Sequence, residues 1–186
     1  QGGTAAGCTA NVAVVTKTHV FVANAGDSRA VISTGGKAKQ LSFDHKPNNP
    51  EERARITKAG GWVSDGANGH FRVNGNLNLS RSIGDLKYKV DKAISPAEQI
   101  ITAEPEVTAH ELGPDDEFIV LACDGIWDCM SNQEVIDFVR ERMKKRQKLS
   151  SICNEIFDKC IAEDPKQTAG IGGDNMSAII IELKKS

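Results

Sequence analysis

The sequence predicts an α+β fold with a mainly antiparallel sheet system, on three observations. Short runs of β-branched and apolar residues recur along the first two-thirds of the chain, broken by glycine-containing turns. Two stretches with helical spacing follow between Ser131 and Ile161. An apolar run over residues 176–183 then closes the chain as a strand. Strands in hairpins, then helices, then a returning strand are the order such a fold requires.

Taken in order, Gln1–Gly3 lead into alternating small and β-branched residues up to Thr16, and residues 19–23 form the next strand. Residues 29–33, the turn Gly35-Gly36 and residues 37–41 make a hairpin. Asn49 before Pro50, Glu51 and Glu52 starts a helix, with a cap residue, a first-turn proline and acids at the positive dipole end. Gly60-Gly61 stops it. Residues 71–73 and 77–79 flank Asn74-Gly75, a strong hairpin signal. The apolar run 118–123 has the length of a buried strand.

Ser131 and Glu134 form a capping box, after which Val135, Phe138, Val139 and Met143 keep helical spacing. The basic run 144–148 is a solvated helix end. A second helix carries Ile152, Ile156, Phe157, Cys160 and Ile161 on one face, where Cys153 and Cys160 serve packing. Pro165 and the glycines at 170–173 end it. Trp62 and Trp127 are expected to anchor the core or strand ends.

At 186 residues the chain is long enough for one sizeable core and one domain. A formal net charge of −2 gives no electrostatic case for nucleic acid or an anionic membrane. No apolar run approaches the ~20 residues of a membrane span. The five cysteines lack metal-finger spacing, and their odd number favours reduced thiols in a cytoplasmic or nuclear setting. The chain opens at Gln1 rather than Met, so its true start is expected upstream.

The most informative stretch is EFIVLACDGIWD, residues 117–128. It delivers Asp124 at the end of an apolar strand, and Asp128 follows four residues later. A carboxylate at such a place needs a cation, a positive side chain or several N–H donors. The arrangement recurs at Asp27, after the run 19–23, and at Asp174, before the run 176–183. Each has a duller explanation. Asp27 can cap a turn or pair with Arg29, Asp124 can be a satisfied buried acceptor, Asp128 can open a turn, and Asp174 can cap its glycine loop.

Together, strand-end carboxylates suit Mg²⁺ or Mn²⁺ rather than Zn²⁺, since no His/Cys cluster accompanies them. Asp65-Gly66 and Gly84-Asp85 are ordinary turn dipeptides, His45 makes a structural hydrogen bond, and Arg81 pairs with Asp85 unless it touches a phosphate. An EF-hand, a Walker A loop, a dinucleotide fingerprint and a G-x-S-x-G elbow are all absent from the sequence.

Several motifs carry a family resemblance: GGTAAGCTA, FVANAGDSRAV, LSFDHKP, ERARITKAGGWV, RVNGNLNLSRSIGD, FIVLACDGIWDCMS and GDNMSAIII, in that order. The chain resembles, from about Gly3 to Leu183, metal-dependent serine/threonine protein phosphatases of the 2C type. The resemblance implies a four-layer α-β-β-α sandwich with two antiparallel sheets, incomplete at its N-terminal side. It implies two Mg²⁺ or Mn²⁺ ions, with a weaker third, activating a water against phosphoserine or phosphothreonine. Asp124 and Asp174 match ligands of the metal pair; Asp27 and Asp128 match positions associated with the third ion.

The resemblance places the family's Glu-Asp pair and Asp-Gly-His-Gly-Gly motif N-terminal to everything present in this sequence. Residues 1–186 are therefore expected to be the C-terminal part of one catalytic domain, with the catalytic residues upstream of Gln1 and little activity alone. The implied substrates are phosphoserine and phosphothreonine proteins, and the implied state is a monomer with no nucleic acid and no membrane segment. Two rival readings stay open: a pseudophosphatase-like module that docks phosphoproteins without hydrolysis, and a calcium-regulated binding domain.

Overall fold

The computed structural model describes residues 6–66 and 71–184; Gln1–Gly3, expected to lead into the first strand, lie outside the described residues. The chain begins with strands β1 (Gly7–Cys8), β2 (Ala10–Val15), β3 (His19–Ala25), β4 (Arg29–Thr34) and β5 (Lys37–Gln40). Helix α1 (Pro50–Lys58) and short strands β6 (Val63–Ser64), β7 (Arg72–Val73) and β8 (Ile83–Gly84) follow. Next come β9 (Glu106–Glu111), β10 (Asp116–Ala122), α2 (Asp124–Trp127), α3 (Asn132–Lys144), α4 (Leu149–Cys160) and β11 (Ala178–Glu182).

Four strands form a sheet in the order β11-β10-β4-β5, and three more the sheet β2-β3-β9. Two short ribbons, β1-β8 and β6-β7, complete the pairing. In the larger sheet every pair is antiparallel, with Ile119 of β10 opposite both Ile181 and Ile32.

The chain gathers into two compact units. One combines Ala13–Val22 and Arg29–Ser42 with the chain from Thr108 onward. In it, β10 is covered on both faces. Phe118, Val120 and Ala122 pack with Val135, Ile136, Val139, Ile152 and Ile156 of the helices. The intervening Ile119 and Leu121 pack with Val20 and Val22 of β3 and with Ala30 and Ile32 of β4. That double burial is why the run is apolar without alternation. Each fully buried Val, Ile, Leu or Phe among them contributes about 1.5–3 kcal/mol.

The expected two-sheet, antiparallel α+β architecture is thus present, with α3 and α4 on one outer face. On the outer face of the β2-β3 hairpin, Val14 is 55% and Phe21 40% exposed.

Local signals account for the helix ends in this unit. The Ser131 side chain accepts the Glu134 N–H while the Glu134 carboxylate accepts the Ser131 N–H, so the expected capping box is formed. After α3, Arg146 takes the left-handed conformation at φ 57°, a place usually given to glycine. Lys145 pairs with Glu141 one turn back, as a solvated basic helix end should.

The other unit contains the described residues up to Val12, together with Ala23–Ser28 and Phe43–Val107. Its small core is Ile56 of α1 with Val73, Tyr88 and Ile101. Three expectations are corrected here. Asn49 precedes α1, but its amide donates back to the Asp44 carbonyl at 2.8 Å rather than capping the helix. The turn at Asn74-Gly75 forms, with φ 51° and 72°, yet it joins only the single bridge Val73–Leu77. The ladder partner of Arg72–Val73 is Val63–Ser64, not residues 77–79. Trp62 is no core anchor: it is 54% exposed.

Candidate functional site

Strand β10 ends at Ala122, and Cys123 in an extended conformation turns the chain into the short helix α2, which Asp124 opens. Across from it lies the loop into β11. The Cys123 N–H donates to the Ser177 carbonyl at 3.2 Å, and the Ser177 N–H returns to Cys123 Sγ at 3.2 Å. The Cys123 thiol donates to the Asn175 carbonyl at 3.4 Å. A β-carbon on Gly125 would lie 2.4 Å from that same carbonyl oxygen. The glycine that follows Asp124 therefore permits direct contact with the residue that follows Asp174.

Side chains brace the turn. Trp127 is buried, and its indole N–H donates to the Ala122 carbonyl at 2.8 Å. The Arg29 guanidinium lies 5.2 Å from the Trp127 ring centre and donates to Asn132 Oδ1 at 2.7 Å. Trp127 is thus the anchor the sequence promised. Asp124 is half-buried, and its carbonyl accepts the Asp128 N–H at 2.8 Å. Asp128 is exposed at the end of α2. Asp174 is exposed too, and its Oδ1 accepts the N–H of Asn175 at 2.7 Å.

Asp27 belongs to the other unit. It is buried, and its carboxylate pairs with Lys46 Nζ at 2.6 Å rather than with Arg29. The segment carrying Lys46 grips the turn twice more. The Gly26 N–H donates to His45 Nδ1 at 3.2 Å, and the His45 N–H donates to the Gly26 carbonyl at 2.9 Å. Because Gly26 can only donate, Nδ1 carries no proton and Nε2–H faces Glu106 Oε2 at 3.2 Å. Burial, with the positive Arg81 nearby, lowers the His45 pKa and keeps the ring neutral. The structural role expected for His45 is the one observed.

A cleft of about 350 Å³ opens beside this histidine, lined among others by Phe43, Asp44, Asn49, Arg81 and Glu106. Glu52 at its base is buried between two guanidiniums. Arg81 donates to it through Nη2 at 2.7 Å and Nε at 3.0 Å, and Arg55 through Nη1 at 2.8 Å. Burial alone would raise the Glu52 carboxyl; Arg81, Ser80 and Arg55 overcome it and hold the group at about 2. Arg81 is therefore committed to Glu52, not to Asp85. Asp85 is itself buried and accepts from Ser82 Oγ at 2.7 Å, so it is more than an ordinary turn residue.

The sequence-predicted carboxylates therefore divide. Asp124 and Asp174 sit on abutting segments, with Asp128 at the far end of the same turn as Asp124. The donors are the hard oxygens a divalent ion would take. Among the described residues, however, no group of three or more His, Cys, Asp or Glu side chains is gathered closely enough to hold a metal. What sequence reasoning missed is Lys46, whose only signal was its place beside His45 in DHKP, and the Cys123 contacts, for which the sequence offered none.

Residues 3–168 match the model of the family described as protein phosphatase 2C. The chain belongs to the protein phosphatase 2C family. It is 54% identical over 177 residues to protein phosphatase 2C homolog 2 of Aspergillus fumigatus, covering 95% of this chain and 40% of that protein. It is 49% identical over 183 residues to probable protein phosphatase 2C 11 of Oryza sativa subsp. japonica, covering 98% of this chain and 49% of that one. The chain thus spans less than half the length of these relatives.

Among solved structures, a phosphatase from a pathogenic strain of Toxoplasma gondii superimposes with a TM-score of 0.72 at 32% identity, covering 90% of this chain and 50% of that one. A C. elegans sex determining protein does so with 0.70 at 26% identity, covering 89% and 37%. The 2C family uses divalent metals, which agrees in kind with the carboxylate donors present here.

Proposed function

We propose that this chain is the C-terminal part of a protein serine/threonine phosphatase catalytic domain that hydrolyses phosphoserine and phosphothreonine proteins with Mg²⁺ or Mn²⁺. The abutment of Gly125 on the Asn175 carbonyl carries the reading, because it ties the backbone beside Asp124 to the backbone beside Asp174. In this reading Asp124 and Asp174 are ligands of a metal pair, and Asp128 serves a weaker third ion. Such a pair, when bound, supplies a water of lowered pKa and offsets charge on the phosphoryl oxygens.

The chain's own contribution is placement. Trp127, Arg29 and Cys123 fix the turn that bears Asp124, and the Asp174 carboxylate is oriented by the N–H of Asn175. We take this chain alone to have little or no turnover. Five free thiols support a cytoplasmic or nuclear setting. Among the described residues no helix is long and apolar enough to cross a membrane. We take the working form to be a monomer.

The decisive experiment measures manganese-dependent hydrolysis of a phosphopeptide by a longer protein containing this sequence. There, Asp124→Asn should lower turnover by at least ~10²-fold, as loss of a metal-ligand charge demands. Near-normal turnover of the variant at saturating Mn²⁺ would overturn the assignment. A longer protein that binds the phosphopeptide without any hydrolysis would favour the docking-module reading instead.

A further inference from the structure

Two of the five cysteines meet behind the Asp124–Asp128 turn. The Cys129 thiol donates to the Gly125 carbonyl at 3.3 Å and lies 3.6 Å from the carbonyl oxygen of Cys160, 31 residues further on. Cys129 is half-buried, whereas Cys160, the last residue of α4, is 6% exposed.

The surroundings of Cys160 reach the second carboxylate segment. A β-carbon on Gly172 would stand 2.3 Å from the Cys160 carbonyl oxygen, and the Ala162 N–H donates to the Gly172 carbonyl at 3.0 Å. The loop that Gly172 begins leads directly to Asp174. Of the other three thiols, Cys123 and Cys153 donate to the backbone carbonyls of Asn175 and Ala178, and Cys8 is exposed.

We propose that Cys129 and Cys160 form a peroxide-sensitive dithiol whose disulfide clips the Asp124–Asp128 turn to the end of α4. Disulfide formation needs two cysteines that approach with little backbone movement, and the Cys129 sulfur already lies against the backbone of Cys160. Cys129, the more accessible sulfur, attacks one oxygen of hydrogen peroxide as its thiolate. The O–O bond breaks, hydroxide leaves and takes up a proton, and Cys129 becomes a sulfenic acid. The sulfur of Cys160 then attacks the sulfenic sulfur, an S–S bond forms, and the hydroxyl leaves as water with the Cys160 proton. The two thiols supply two electrons, and one peroxide becomes two waters.

The order follows from the environment. Burial pushes the Cys160 thiol up to about 12, with the neighbouring Cys129 adding to the rise, so Cys160 is the slower nucleophile.

The test exposes the reduced 186-residue chain to hydrogen peroxide, then maps peptides without reduction. The expected product is about 2 Da lighter and links Cys129 to Cys160, as oxidation of two thiols to one disulfide requires. Cys129→Ser and Cys160→Ser should each abolish it, whereas Cys153→Ser should leave it intact. Circular dichroism establishes that each variant is folded; should Cys160→Ser fail there, Cys129→Ser decides alone. Amide exchange in residues 125–129 should slow at least threefold in the oxidised form. Linkage through other cysteines, only sulfinic or sulfonic acid at Cys129, or unchanged exchange on oxidation would overturn the proposal.

Discussion

The carbonyl oxygen of Asn175 stands 2.4 Å from where Gly125 would carry a β-carbon. Real β-carbons do not come so close to a carbonyl, and the obstacle is backbone on both sides. Gly125 does not lie in the left-handed region, so the constraint is one of space alone. Gly125→Ala should therefore part the α2 turn from the β11 loop and cost about 1–3 kcal/mol, as overpacking does. Urea unfolding of this chain measures it. A loss below about 0.5 kcal/mol would mean that the two segments do not need to touch.

Glu52 should make the chain acid-sensitive. Its folded-state value of about 2 lies below the ordinary 4.5, so the deprotonated form is favoured by folding. The resulting stabilisation is complete above about pH 4.5 and is lost as pH falls towards 2. That gap corresponds to about 3 kcal/mol at neutral pH, for a carboxylate that is nearly inaccessible. Glu52→Gln should unfold earlier in urea at pH 7, and its deficit against the unaltered chain should shrink steadily below pH 4.5. A deficit independent of pH would show that the ion-pair network is not its origin.

Lys46 and Asp27 should be coupled. Lys46→Met removes the ammonium 2.6 Å from a carboxylate that is 2% exposed, and should cost about 2 kcal/mol by leaving a buried charge poorly compensated. Pairing it with Asp27→Asn should recover about half or more of that loss. A double-mutant cycle on unfolding free energies gives the answer, and strict additivity would contradict the contact.

Ser131→Ala removes one arm of the capping box on α3 and should cost about 1 kcal/mol. Thermal unfolding with near-unchanged ellipticity at low temperature checks it. Because α3 packs on Phe118 and Val120, the effect should reach the whole unit rather than fray one turn.

Much of this was legible in the residues. The capping box, the 35–36 hairpin and the two-faced burial of β10 all rest on short-range patterns, which a sequence displays directly. The order of the motifs also led to the family. Two misreadings share one cause: charged partners were sought nearby in sequence. Asp27 finds Lys46 nineteen positions on rather than Arg29, and Arg81 reaches back to Glu52 instead of forward to Asp85. Asn74-Gly75 signalled its turn correctly, but pairing beyond a turn depends on the tertiary alternatives open to each strand, and Val63–Ser64 took Arg72–Val73. Asp124 and Asp174 were chosen for their place at strand ends, and it was the antiparallel register of β10 with β11 that set those ends side by side.

The β2-β3 hairpin carries a practical consequence for the bench. Val14 and Phe21 look outward while Val20 and Val22 are sealed beneath. Excluded salts such as ammonium sulfate strengthen apolar association. Precipitant screens and salting-out columns should therefore drive copies together through this ribbon, and dilute, low-salt buffers with mild detergent are the safer choice for purification.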